Sequence, residues 1–164
     1  MQAQIVALGR IAVAAAMLAA AGTVTAATSS PAAAKKATTE TRKPREARIK
    51  AVYHVNQGLQ QATDALRNIR NHLAADPKAK ITVVAHAAGI DFLLDGAVDK
   101  NGNPYDALVQ DLVSQGVDFR VCNFTLQARQ IDRSRVIPEA SIVPSGVAEI
   151  ARLQAHEGYA YVKP

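Results

Sequence analysis

A single cysteine, Cys122, stands in the whole 164-residue chain. One thiol cannot bridge its own chain, and no second thiol lies at C-x-x-C spacing, so a disulfide scaffold and a dithiol redox centre are both excluded. Tryptophan is absent and aromatic residues make up 4% of the chain, which leaves little from which to build a base-stacking surface for nucleic acid. No short histidine–cysteine spacing marks a metal site; no metal ligand is assigned and no cofactor is expected. Long apolar runs are missing as well. The run near the N-terminus, Ile11 to Val24, falls short of the about 20 residues that a membrane-spanning helix needs.

That run has instead the pattern of a cleaved secretory signal over residues 1–26. Arg10 supplies a positive charge, an Ala-, Leu- and Val-rich core follows, and Val24-Thr25-Ala26 offers small residues for cleavage. The expected mature chain begins near Ala27, is periplasmic or secreted, and keeps no integral membrane span. Residues 27–48 read as a disordered basic linker, rich in Ala, Thr, Ser, Lys and Arg with no apolar period. Of the net charge of +5, four reside there, where six basic residues face two acidic ones, and one is Arg10, whereas the chain from Ile49 onward carries twelve of each sign. Basic charge confined to such an arm makes a solubilising tether, drawn weakly to anionic membrane surfaces. No nucleic-acid partner is expected.

From Ile49 to Pro164 strands and helices alternate. IKAVYHV (49–55), KITVVAHA (80–87), VDFRVCN (117–123), SIVP (141–144) and GYAYVK (158–163) read as strands. Leu59, Ala62, Leu66, Ile69 and Leu73 line one helix face, and Tyr105, Leu108, Val109, Leu112 and Val113 another. Short helices are expected over IDFLLDGAV and over Phe124 to Gln130, and a longer one over SGVAEIARLQAH. Such alternation predicts an α/β domain over 49–164, with an open, mostly parallel sheet of about five strands sandwiched by helices. Phe92-Leu93-Leu94 reads as an apolar helix surface, which points to a homo-oligomer.

Ligands of such sheets bind beyond the carboxyl ends of the strands, and those ends carry the reactive groups of this chain. The first strand ends in His54-Val55-Asn56, the second in His86, the third in Cys122-Asn123, and the fourth in Pro144-Ser145-Gly146. Cys122, His54 and His86 are the candidate catalytic residues; Asn56, Asn123, Ser145 and Gly146 are candidate ligand-binding residues. A cysteine just before a helix has a physical reason to ionise, because backbone N–H groups favour the thiolate. Each residue also has a plain structural use: packed histidines, a cysteine filling the core, a serine capping a helix. His72 and His156 fall late in helices, where a cation is favourable. Asn123-Phe124-Thr125 matches the three-residue glycosylation acceptor, a weak pattern.

The stretches VYHVN, LRNIRNHL, ITVVAHAAGIDFLL, GVDFRVCNFTLQAR and VPSGVAEIARLQAHEGYAYVKP resemble the DsrE/DsrF-like family of small α/β proteins associated with sulfur transfer. The resemblance covers most of 49–164. It implies a three-layer α/β/α subunit, assembly into a homotrimer or homohexamer, and a cysteine that carries sulfane sulfur as a persulfide in some members. Cys122 alone could inherit that role. It also implies that the first and third strands are adjacent, which would make His54 the nearer neighbour of Cys122. The secretory signal departs from the cytoplasmic sulfur-relay members, so the donor and the acceptor thiol are unknown partners. Three functions compete: an exported single-cysteine sulfur carrier, a non-catalytic module binding a small ligand or metal at the same rim, and a structural homo-oligomer.

Overall fold

The computed structural model describes residues 48–164; the signal segment and all but the last residue of the basic linker lie outside them. Five strands form one sheet: β1 (Lys50–Val55), β2 (Lys80–Ala85), β3 (Asp118–Cys122), β4 (Ala140–Val143) and β5 (Ala160–Val162). Their order is β4-β3-β2-β1-β5 and every neighbouring pair is parallel. The connections carry α1 (Leu59–Ala75), α2 (Tyr105–Ser114), α3 (Asn123–Ala128) and α4 (Gly146–Glu157), with 3-10 segments at Ala87–Leu93 and Arg133–Arg135.

The chain steps from β1 through β2 and β3 to β4 in one direction, then returns once, from β4 to β5 on the far side of β1. Parallel crossovers are right-handed in nearly all proteins. Three steps in one sense therefore put α1, α2 and α3 on one face, and the return step puts α4 on the other. Burial follows that division. Alternate residues of each strand, Ala51, Tyr53 and Val55, Ile81, Val83 and Ala85, Phe119 and Val121, join α1, α2 and Leu126 of α3 in one core. The intervening positions Val52 and Val84 meet Ile150 and Leu153 of α4 and Tyr159 in a second, much smaller core. The architecture is the three-layer α/β/α sandwich expected from the sequence, and all five strands are parallel.

Two expectations need correction. Phe92 and Leu93 are not a helix surface: they are 1% and 0% exposed, in a tight 3-10 segment that closes over the large core, and Leu94 packs against it. The apolar triplet is interior and supplies no argument for an interface. β1 and β3 are not adjacent either, because β2 lies between them. The 3-10 segment closes so tightly that a Cβ at Gly89 would lie 2.2 Å from the Val55 carbonyl oxygen. Only glycine fits there. Among the described residues no helix is long and apolar enough to cross a membrane.

Candidate functional site

Cys122 is the last residue of β3 and the N-cap of α3. Its position follows from strand periodicity: Arg120 pairs with Val84 of β2, and Cys122, two residues on, faces α4 as they do. Gly146 opens α4 directly against it. A Cβ on Gly146 would stand 3.2 Å from the Cβ of both Cys122 and His86, and 3.5 Å from Val84. The missing side chain therefore lets the helix start come down between thiol and imidazole. His86 follows β2, the strand next to β3, so it and not His54 is the histidine beside Cys122.

The cysteine is 5% exposed, and burial pushes its pKa up. Four donors outweigh that push and leave the thiol below its ordinary value: the Gly146 N–H, the Thr125 hydroxyl and N–H, and the Phe124 N–H. None closes into a tight cap on the sulfur; the Phe124 N–H also donates to the Pro144 carbonyl at 3.3 Å. The Thr125 hydroxyl oxygen accepts from the Ala87 N–H at 3.0 Å, which directs its own hydrogen away from Ala87. Arg129 reaches back to the Ala87 carbonyl at 3.2 Å and to Asp91 at 2.6 Å. These contacts from α3 hold Ala87 at a φ of 52°, an uncommon conformation for alanine, at the turn that carries His86.

A second group adjoins on the same face. His54 Nε2 and His86 Nε2 lie 2.6 Å apart, with the ring planes 28° apart and the centroids separated by 4.7 Å, and His54 Nδ1 lies 2.6 Å from the Tyr161 hydroxyl. Lys163 Nζ donates to Asn56 Oδ1 at 2.6 Å. Burial is the main reason that His54 is pushed down to about 4, with the charges of His86 and Lys163 adding to it. His86 is lowered by burial and then by Lys163. Both imidazoles are therefore neutral near pH 7, and neither supplies a cation to the thiolate. Gln61 underlies the group. Its side-chain oxygen accepts from the N–H of Asn56 at 2.7 Å and of Gln57 at 2.8 Å, and its amide donates to the His54 and Pro164 carbonyls at 3.4 Å.

Cys122, His86 and Gly146 are thus brought together, His54 joins through His86, and Asn56 joins through Lys163. Ser145 acts as a cap, accepting from the Ala148 N–H at 3.3 Å. Asn123 turns away to Arg133, 3.1 Å distant, beside a cavity of about 140 Å³ lined also by Ile142, Val143 and Pro144. A larger cavity of about 300 Å³ lies elsewhere, among Asp95, Asp106, Gln110 and Glu139, and contains none of these residues. Among the described residues no three histidine, cysteine or carboxylate side chains are grouped to hold a metal ion.

Thr125, Tyr161, Lys163 and Gln61 were not legible as site residues. Thr125 is three residues beyond an N-cap cysteine, a position from which a hydroxyl turns back to the cap, and that spacing is the one signal that could have found it. Tyr161 sits in register with Val52, which only the pairing of the last strand with the first can show.

The family model described as DsrE/DsrF-like matches residues 46–164. A solved structure from Methanobacterium thermoautotrophicum, the protein of unknown function MTH1491, is 31% identical, with 71% of this chain and 99% of that chain covered at a TM-score of 0.62. The ychN protein of E. coli is 15% identical over 71% of this chain and 99% of its own, at a TM-score of 0.60, and shares the fold. No curated protein matches the chain. The chain belongs to the DsrE/DsrF-like family, which is implicated in sulfur relay.

Proposed function

We propose that the protein is an exported sulfane-sulfur carrier, that Cys122 holds the sulfur as a persulfide, and that the working form is a homo-oligomer. One observation carries the reading: the only cysteine ends a strand at the carboxyl rim of the sheet and caps α3, with the start of α4 packed against it, a setting whose N–H and hydroxyl groups lower the thiol below its ordinary pKa. A thiolate is the nucleophile in sulfur exchange, and one thiolate suffices to carry one sulfur atom. In loading, Cys122–S⁻ attacks the outer sulfur of a donor RS–SH. An S–S bond forms to Sγ, the donor's own S–S bond breaks, and its electron pair leaves with RS⁻. The sulfane sulfur changes hands with no net oxidation. Unloading to an acceptor thiol R′SH is the same exchange run outward, with Cys122 as leaving thiolate. At 5% exposure the sulfur suits small donors such as inorganic polysulfide or low-molecular-weight persulfides.

That same low exposure favours the rival reading, in which Cys122 is a packing residue. Intact-mass measurement after polysulfide treatment decides between them. The expected result is a single added sulfur on the wild type and none on Cys122→Ser, with the variant still folded. An inert wild-type thiol, coupled to a loss of stability on substitution, would establish the packing role instead. Sedimentation at micromolar concentration checks the oligomer, which a monomer would disprove. Purified exported protein beginning at Met1 would rule out the cleaved signal.

A further inference from the structure

We infer that Tyr161, His54 and His86 form a proton relay that ends at the sulfur-transfer site, with His86 Nδ1 as the catalytic atom and Tyr161 as the outlet to solvent. The inference rests on the sulfur-carrier reading and adds the handling of the proton. Its basis is geometric. The Tyr161 hydroxyl lies 2.6 Å from His54 Nδ1, and His54 Nε2 lies 2.6 Å from His86 Nε2. At that separation one proton stands between the two Nε2 atoms, since two lone pairs or two N–H groups would repel. Among the described residues His86 Nδ1 has no hydrogen-bond partner, yet no buried side-chain nitrogen or oxygen is left unpaired; Nδ1 therefore opens to solvent. His86 stands on the same rim as Cys122, the Cβ atoms of both lying 3.2 Å from the place that a Cβ on Gly146 would take. At the far end Tyr161 is 44% exposed.

The chain has two states of equal charge. In one, Tyr161 donates to His54 Nδ1, His54 Nε2–H donates to His86 Nε2, and His86 Nδ1 carries an outward N–H. In the other every bond is reversed and His86 Nδ1 presents a lone pair. Sulfur transfer needs both. Loading releases RS⁻, which takes the Nδ1 proton and leaves as RSH. His86 recovers a proton at Nε2 from His54, His54 recovers one at Nδ1 from Tyr161, and Tyr161 takes one from water. Unloading consumes R′SH, whose proton goes to Nδ1 and travels outward along the same path, while R′S⁻ removes the outer sulfur from Cys122. One proton enters and one leaves per cycle, and no imidazolium forms. Burial first, and then the charge of Lys163, disfavour protonation of both rings and keep the pair neutral for this use.

His54 and Tyr161 touch no substrate and act through His86, so the test needs readouts that simple disruption would not move. The loading rate of the full chain is followed with low-molecular-weight persulfides whose leaving thiols differ in basicity. His86→Gln is expected to slow loading roughly a hundredfold for a basic leaving thiolate, within the range of general acid catalysis. Tyr161→Phe, a change at an exposed ring, is expected to slow it about tenfold and to bring the solvent deuterium isotope effect close to one. Acidic leaving thiolates, which need no proton, should be affected less than about twofold. Nitrogen-15 spectra of labelled histidine should show two neutral rings with scalar coupling across the shared proton. If the wild type loads sulfur and Tyr161→Phe and His54→Gln load it equally fast, the relay is wrong and the carrier reading stands. If the wild type takes up no sulfur, the carrier reading falls and the relay loses its task. Charged rings, or no coupling between them, overturn the relay whatever the rates.

Discussion

The two faces of the sheet are made by the same five strands and are built differently. Behind one face a core cluster of 23 buried apolar side chains is shared with α1, α2 and α3, and behind the other the cluster has five, gathered under α4. In β1, β2 and β3 the odd-numbered residues face the large core and are apolar throughout. Even-numbered residues on the α4 face change character along the strand. Val52, Thr82 and Val84 are fully buried at mid-strand, and His54, His86 and Cys122 follow at the carboxyl ends. Folding energy is concentrated on the first face, where each buried large side chain contributes about 1.5–3 kcal/mol. Chemistry is concentrated on the second, where a lone helix leaves the end of the sheet open. Stability and reactivity should therefore be separable by substitution.

The largest expected effect is on the packed face. Phe92 is 1% exposed and meets Tyr105 and Phe119 edge to face. Phe92→Ala should cost about 3–5 kcal/mol in urea denaturation while the alkylation rate of Cys122 in the folded protein changes less than about twofold. A parallel fall in alkylation would show that the faces are coupled. Gln61 bridges them, since it lies on α1 and bonds to the rim. Gln61→Leu leaves the Asn56 and Gln57 N–H groups without their acceptor, at an expected cost of roughly 2–3 kcal/mol. It should also disturb His54, visible as a changed imidazole spectrum. A cost below about 0.5 kcal/mol would mean that water replaces the amide and that the rim holds itself.

Gly146→Ala probes the open face. The added methyl meets Cys122, His86 and Val84 at 3.2–3.5 Å, so the start of α4 must lift. Overpacking of this kind costs about 1–3 kcal/mol. Lifting also withdraws the Gly146 N–H, the first of the donors that lower the thiol. The pH profile of alkylation should accordingly move to higher pH. An unmoved profile would assign the depression to Thr125 and Phe124 alone.

What could be read from the sequence divides along the same line. Strand and helix existence was legible, because apolar periodicity records burial, and burial on the packed face is dense. Cys122 and His86 were legible as rim residues because strand ends can be counted. Their adjacency was not, since it depends on strand order: placing β1 beside β3 gave His54 the place that β2 gives His86. Phe92 and Leu93 were misread as surface because a 3-10 segment lacks the 3.6-residue period that separates inside from outside. Tyr161 and Lys163 escaped notice because they lie over a hundred residues from their partners, brought there by the return of the chain past β1.

The smallest effect, and the most specific to the open face, is in the acid range. His54 stands at about 4 in the folded protein against an ordinary 6.5, so between those values the unfolded chain holds the proton more firmly. Unfolding then takes up a proton, and stability is lost as pH falls from about 6.5 to about 4; above 6.5 this contribution is fully present and constant. The groups that face the ring are His86, Tyr161 and Lys163, of which Lys163 opposes its protonation and Tyr161 adds no charge. Because the ring is only partly buried, solvent screening reduces the effect to on the order of 1 kcal/mol. Carboxylates such as Glu149, held down first by its bond to Arg152, also lose stabilising charge toward acid, so the wild-type curve alone decides nothing. The informative quantity is the difference between wild type and His54→Gln in urea denaturation across this window. It should narrow steadily as pH drops from 6.5 to 4, because only the wild type has the His54 imidazole to protonate. Curves that stay parallel would mean that the His54–His86 pair accepts its extra proton without strain, and that the open face carries no acid-sensitive element of its own.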